Sequence, residues 1–155
     1  AIKPVHSVAA ARQLLPCAAV QFNIRHPGVL PLHGVMVDDS EAFGEPTVYI
    51  VSWLAAGNVA ELVLDPCGRW AGADVRQRLV WLRQASTALA ALHARGYVHG
   101  NVLPSNVLLT AGDAPTLMLT DIRARAPTAM RETFPLSHVL YLDPAVPLGR
   151  RQLLE

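Results

Sequence analysis

Residues 97–109 read YVHGNVLPSNVLL and join a long helical pattern to a pair of short apolar segments. Three polar side chains in this stretch, His99, Asn101 and Asn106, are separated by two and then five positions. The apolar triplets VLL and LML on the C-terminal side favour two short strands. The pattern predicts a polar loop carried by two strands, a position where functional side chains often lie.

The segment before this loop, 74–95, carries the strongest helical pattern of the chain. Asp74 is the predicted N-cap and Gly96 the predicted end of the helix. Apolar and small side chains recur there at three- and four-residue steps, which predicts that one face of the helix is buried. The residues of that predicted face are Val75, Leu79, Leu82, Ser86, Leu89 and His93.

The first third of the chain predicts a strand, a helix and a hairpin. Residues 1–5 favour a short strand, and residues 6–24 favour an Ala-rich helix that Pro16 should kink or split. Residues 29–37 and 47–53 are apolar and β-branched, and the polar segment between them predicts an antiparallel hairpin.

Composition limits the classes of function. The chain has 155 residues, 52% of them hydrophobic, and a formal net charge of +1. This balance fits a globular domain and gives no reason to expect a nucleic acid or a membrane as partner. Cys17 and Cys67 are the only cysteines, so a reducing compartment, the cytoplasm, is expected.

The order of these elements resembles a protein kinase, from the third strand of the small lobe to the end of the activation segment. AIK at 1–3 resembles the strand that carries the phosphate-binding lysine, and LMLTDIR at 117–123 resembles the metal-binding D-F-G strand. YVHGNVLPSNVLL resembles the catalytic loop, and YLDPAV at 141–146 the close of the activation segment.

The resemblance implies an α+β fold, a partial two-lobe kinase-like domain over residues 1–155. Residues 1–54 would belong to the small lobe and residues 55–155 to the large lobe. The family's Gly-rich loop would lie before residue 1, and the lower helices of its large lobe after residue 155.

The resemblance also implies a site for ATP and Mg²⁺. Lys3 would contact phosphate, and Asn106 and Asp121 would bind metal. The strand end and hinge that would meet the adenine are Ser52, Trp53, Leu54 and Ala55.

Several positions depart from the family pattern around the reaction itself. Asn101 stands where an aspartate accepts the substrate's hydroxyl proton, and a neutral amide has no carboxylate to take that proton. Gly100 replaces an arginine, and Leu103 replaces the lysine of Ser/Thr-type loops. The tetrapeptide HGNV at 99–102 also resembles the same loop in the pseudokinase domains of Janus-family tyrosine kinases.

Other departures lie around the loop. The helix-C glutamate that pairs with the strand lysine falls at about Cys17, and the sequence has no acidic residue before Asp38. Arg123 replaces the glycine of D-F-G, and Ala145 replaces the glutamate that closes the activation segment.

Three functions are compatible with this pattern. The first is a pseudokinase, a signalling module with a protein partner, a regulatory or scaffolding role, and weak or absent ATP binding. The second is an active Ser/Thr or dual-specificity kinase that transfers the γ-phosphate to protein hydroxyls around Asn101. The third is an interaction domain that binds no nucleotide; Lys3, Asn106 and Asp121 argue against it.

Overall fold

The computed structural model describes residues 1–5, 8–38, 47–64, 67–68, 70–123, 132–134 and 151–153. The polar segment 39–46 and the stretch 141–146, with Ala145, lie outside the described residues.

The N-terminal part is a three-stranded antiparallel sheet with one helix. The strands are β1 (Ile2–Val5), β2 (Leu32–Asp38) and β3 (Thr47–Ser52), in the order β1-β3-β2. The hairpin predicted from the sequence is confirmed, and its first strand starts at Leu32. The residues before it form a bridge to Leu119 instead, through the Leu30 N–H and the Gly28 carbonyl on either side of Val29.

Helix α1 (Val8–Asn23) packs against this sheet and runs through Pro16 without interruption. The predicted split of this helix is therefore wrong. Pro16 removes one backbone donor, which leaves the carbonyl four residues earlier without its helical partner. Because Pro16 is on the exposed side of α1, water can reach that carbonyl, and the helix continues.

The C-terminal part begins with β4 (Gly57–Asn58) and α2 (Val59–Leu64), followed by α3 (Val75–His93). A 3₁₀ turn (Pro104–Asn106) leads into β5 (Val107–Leu109), which pairs antiparallel with both β4 and β6 (Leu117–Leu119). A parallel pair, β7 (Glu132–Phe134) and β8 (Arg151–Leu153), lies further along the chain.

Helix α3 begins as predicted and buries a different face from the predicted one. Asp74 caps it, with Oδ1 accepting the Gln77 backbone N–H at 2.7 Å. Val75, Leu79 and Leu82 of the predicted face are 59–73% exposed. The buried residues are Trp81, Ala88 and Leu92.

Small side chains explain this choice of face. Gly28 packs against α3 so closely that a Cβ at that position would lie 3.0 Å from both the Ala88 Cβ and the Gln84 carbonyl oxygen. A helix face with Ala85 and Ala88 admits this approach, and a leucine face would not. Trp81 fills the space beside it, with its ring edge-on to Trp70 at 6.4 Å between centroids.

The two sheets meet at β6. The Leu30 N–H donates to the Leu119 carbonyl at 2.9 Å, and the Leu119 N–H donates to the Gly28 carbonyl at 2.8 Å. Leu119 is fully buried, and Val29 is 2% exposed. The residues that follow Leu119 are thus held at the boundary between the two sheets.

Candidate functional site

His99 anchors the loop between α3 and β5. Its side chain is buried, its Nδ1 accepts the Asn101 backbone N–H at 3.2 Å, and its carbonyl accepts the Arg123 N–H at 2.8 Å. Burial lowers the pKa of His99 from 6.5 to about 4, against the opposing effect of the Asp121 charge. His99 is therefore a neutral structural residue at physiological pH.

Asn101 and Asn106 tie the loop to the end of β6. The buried Asn106 donates from Nδ2 to the Asn101 carbonyl at 2.9 Å, and its own carbonyl accepts the Thr120 N–H at 3.0 Å. Asn101 in turn donates from Nδ2 to the Asp121 carbonyl at 3.3 Å. In this orientation the Asn101 amide acts as a donor, a role that an ionised aspartate cannot fill.

Asp121 has a left-handed backbone, with φ at 55°. A residue other than glycine adopts this conformation at an energetic cost, and such residues concentrate at functional sites. Its Oδ2 lies 2.6 Å from Lys3 Nζ, so strand β1 and the end of β6 are joined by an ion pair. Both side chains are partly open to solvent, 54% for Lys3 and 36% for Asp121.

Cys17 occupies the place on α1 where the resemblance puts a glutamate. Its thiol donates to the Arg123 carbonyl at 3.1 Å, with a longer contact of 3.5 Å to the Gln13 carbonyl. Helix α1 has no acidic side chain. The partner of Lys3 therefore comes from the end of β6.

A cavity of about 270 Å³ lies between α1, the first sheet and the end of β6. This volume is slightly below the usual range for small-molecule pockets. Polar and charged residues that line it are Lys3, Gln21, Ser52, Asn101, Thr120, Asp121 and Arg123. Asp121 is the one carboxylate among the described residues of the lining.

The predicted hinge continues from the edge of this cavity. Ser52 lines the cavity, and its hydroxyl donates to the Trp53 carbonyl at 3.1 Å. Trp53 stacks on His33 with 6.3 Å between ring centroids, and Leu54 is 83% exposed. Trp53, Leu54 and Ala55 are outside the lining, as is Asn106, which supports the loop.

The residues present do not fit a magnesium site as they are arranged. Mg²⁺ binds proteins through one or two carboxylates in near-ideal octahedral geometry. Among the described residues of the lining, only Asp121 has a carboxylate, and the Lys3 ammonium already binds it. Asn106 lies outside the cavity lining and donates from its Nδ2 to the loop, and Asn101 contributes no charge.

Known proteins match this chain over most of its length. The family model described as protein tyrosine and serine/threonine kinase matches residues 1–122. The chain belongs to the protein kinase family. The segments that resemble the kinase loop and the lysine strand lie within the matched residues, and so does the segment that resembles the D-F-G strand, except for its last residue, Arg123.

Curated kinases give the same result. Aurora kinase A-A of Xenopus laevis is 29% identical over 133 residues, which are 84% of this chain and 30% of that kinase. Serine/threonine-protein kinase PknA of Mycobacterium tuberculosis is 36% identical over 88 residues, 56% of this chain and 19% of that kinase. CBL-interacting protein kinase 4 of Oryza sativa subsp. japonica is 35% identical over 101 residues, 64% of this chain and 20% of that kinase. The kinase segment thus spans less than a third of these relatives.

The α+β kinase-like fold predicted from the sequence is confirmed, as a part of the kinase domain. Kinases of this family use ATP and Mg²⁺. Within the part of the chain that the structure describes, no helix is both long enough and apolar enough to cross a membrane.

Sequence reasoning missed the pairing of Lys3 with Asp121. The sequence shows that the usual glutamate is absent, and it does not indicate which acidic residue pairs with Lys3 instead. A signal was present, since Lys3 is the only lysine and no acid precedes Asp38. Choosing Asp121 required the backbone geometry that brings β1 and β6 together.

Proposed function

We propose that this kinase-family chain is a pseudokinase with a regulatory or scaffolding role toward a protein partner. One observation carries the proposal: Asn101 stands at the position of the catalytic aspartate and uses its amide to donate to the Asp121 carbonyl. Proton acceptance at that position requires a carboxylate, and a general base typically contributes ~10²–10⁴ in rate. Asp121 does not replace the missing general base, because its carboxylate is paired with the Lys3 ammonium.

Residual nucleotide binding at the cavity is part of this proposal, and the binding is weak. Lys3 supplies a cation for phosphate, and Ser52 leaves space at the inner end of the hinge. Two features reduce affinity. The Trp53 carbonyl, which would meet the adenine, already accepts the Ser52 hydroxyl, and the Lys3 ammonium is engaged by Asp121.

The remaining assignments are part of the same proposal. We place the boundary between small-lobe and large-lobe parts after residue 54, since the first sheet ends at Ser52 and the second begins at Gly57. The cytoplasm is our proposed compartment, supported by a sequence whose two cysteines, Cys17 and Cys67, do not have the pattern of a disulfide framework.

The competing function is an active Ser/Thr kinase, favoured by the named activity of the relatives and by the ordered loop. A phosphotransfer assay with radiolabelled ATP and a generic protein substrate separates the two. We expect no transfer from the native chain and none from Asn101→Asp. That substitution supplies a carboxylate and leaves Cys17 and Leu103 at the positions of the helix glutamate and loop lysine.

Asp121→Asn is the control for contaminating kinases, because transfer by this chain would require its metal-position carboxylate. Phosphotransfer by the native chain that disappears in Asp121→Asn would refute the pseudokinase proposal and establish the active kinase. Transfer that is equal in both proteins would come from a contaminant.

A further inference from the structure

The polar groups at the cavity carry an unusual balance of charge. Lys3 and Arg123 line it as cations, and Asp121 is the only acidic residue among the described lining residues. In the family pattern the phosphates are surrounded by carboxylates from helix C, the catalytic loop and D-F-G, and metal ions offset that charge. Here Cys17 and Asn101 replace two of those carboxylates, and Arg123 adds a cation.

The remaining carboxylate is also occupied. Lys3 Nζ lies 2.6 Å from Asp121 Oδ2, the distance of a charge-assisted hydrogen bond. A divalent cation at Asp121 would have to displace this ammonium or share the carboxylate with it. With the ammonium in place, the charge of the Asp121 carboxylate is already balanced, and the ammonium still has two N–H donors that a polyphosphate can accept.

We propose that this site binds the polyphosphate of a nucleoside triphosphate without a divalent cation, with the Lys3 ammonium in the place of the metal beside Asp121. The inference rests on the proposed function, namely that a kinase-derived site retains weak nucleotide binding. Kinases usually bind ATP together with magnesium, whereas this site is proposed to bind metal-free ATP more tightly. Magnesium weakens binding by reducing the negative charge of the triphosphate and by competing with Lys3 for Asp121.

The direct test measures binding of a fluorescent trinitrophenyl-ATP, and its displacement by ATP, in EDTA and in magnesium chloride. Any native sequence that flanks residues 1–155 is retained. We expect ATP to bind more tightly in EDTA than in magnesium, and equal binding in the two solutions would contradict the proposal. Inorganic tripolyphosphate competes in EDTA, and adenosine, which has no phosphate, does not compete over the same range.

Variants of the ion pair sharpen the test. Lys3→Met weakens binding in EDTA roughly tenfold, the loss of one charge-assisted hydrogen bond. Asp121→Asn tightens binding in EDTA, because it removes a negative charge beside the phosphates. Arg76→Met is the matched control, since it removes a cation from the exposed side of α3, away from the cavity.

Restoring an acid on α1 gives an independent test. Cys17→Glu returns a carboxylate to the cavity, where it attracts Lys3 and repels phosphate, so binding in EDTA weakens and magnesium then assists. Cys17→Gln is the matched control, because it has nearly the same size and no charge. Equal behaviour of the two variants would contradict the role given to charge.

The outcomes distinguish this inference from the proposed function. Binding that requires magnesium and disappears in Asp121→Asn overturns the inference and leaves the pseudokinase standing. Absence of binding in both EDTA and magnesium also overturns it and leaves a module without nucleotide. Phosphotransfer, measured separately, overturns the proposed function.

Discussion

At the scale of single residues, the uncharged side-chain amides of the loop hold the site together by donating hydrogen bonds. Asn101 donates to the Asp121 carbonyl, and Asn106 donates to the Asn101 carbonyl. An ionised aspartate in place of Asn101 would face that carbonyl with a second negative group. The hydrogen bonds of the loop are therefore adapted to an amide at position 101.

His99 gives a prediction of pH dependence. Its pKa is about 4 in the folded protein against 6.5 for an unperturbed histidine, so the unfolded chain binds more protons between these values. The free energy of unfolding therefore decreases as the pH falls from about 6.5 to about 4, and this contribution is constant below that range. The loss is on the order of 3 kcal/mol.

Urea unfolding at a series of pH values measures this effect. His99→Gln, which cannot take up the proton, should lose less stability across the window than the native chain. His93→Gln, at an exposed position of α3, is the control and should follow the native curve. Parallel curves for the native chain and His99→Gln would show that His99 is not the group responsible.

At the scale of elements, α3 shows which contacts matter. Leu92 is fully buried, whereas Leu82 on the same helix is 64% exposed. Leu92→Ala should cost about 2–5 kcal/mol, the range for a leucine truncated in a core. Leu82→Ala is the same chemical change and should stay within about 0.5 kcal/mol of the native chain. Chemical denaturation of both variants checks the contrast, and equal costs would contradict the observed burial.

The same helix shows how far sequence patterns reach. Its start at Asp74, its end near Gly96 and the strands that follow were predictable, because caps, glycines and apolar triplets act locally. The buried face was not, since two faces carry apolar residues at helical spacing. The choice depends on Gly28, a distant residue whose missing side chain admits Ala88.

Part of the candidate site could likewise be predicted from the sequence, and part could not. The loop residues Asn101 and Asn106 lie next to the end of β6, where the motif order predicts them, so their proximity could be read from the sequence. The partner of Lys3 could not, because it lies 118 positions away and is chosen by the packing of two sheets. The roles assigned to these residues remain predictions.

At the scale of the whole molecule, α3 presents apolar surface to solvent. Its exposed apolar side chains are Val75, Leu79, Val80 and Leu82. Contiguous exposed apolar surface favours association. We expect the 155-residue chain, expressed alone, to self-associate as its concentration rises, as measured by light scattering.

Variants locate the surface responsible. The double substitution Leu79→Gln with Leu82→Gln should reduce association, because it replaces apolar side chains on α3 with polar ones of similar size. Val37→Thr changes an exposed apolar residue on β2 and serves as the control. A monomer at every concentration, or equal association of all variants, would rule out the α3 surface as the cause.

The two backbone hydrogen bonds of Leu119 connect the end of β6, beside the cavity, to the segment just before β2. The amides of Leu30 and Leu119 can exchange with solvent deuterium only when the two sheets separate, so both should exchange slowly and at matching rates. The exposed turn at Gly112 should exchange much faster. Asp121 lies two residues after Leu119. A ligand bound in the cavity should therefore stabilise this contact and slow deuterium exchange of the Leu30 amide, which is distant in sequence. A partner that contacts only the sheet β1-β3-β2 would then be sensitive to whether a ligand occupies the cavity.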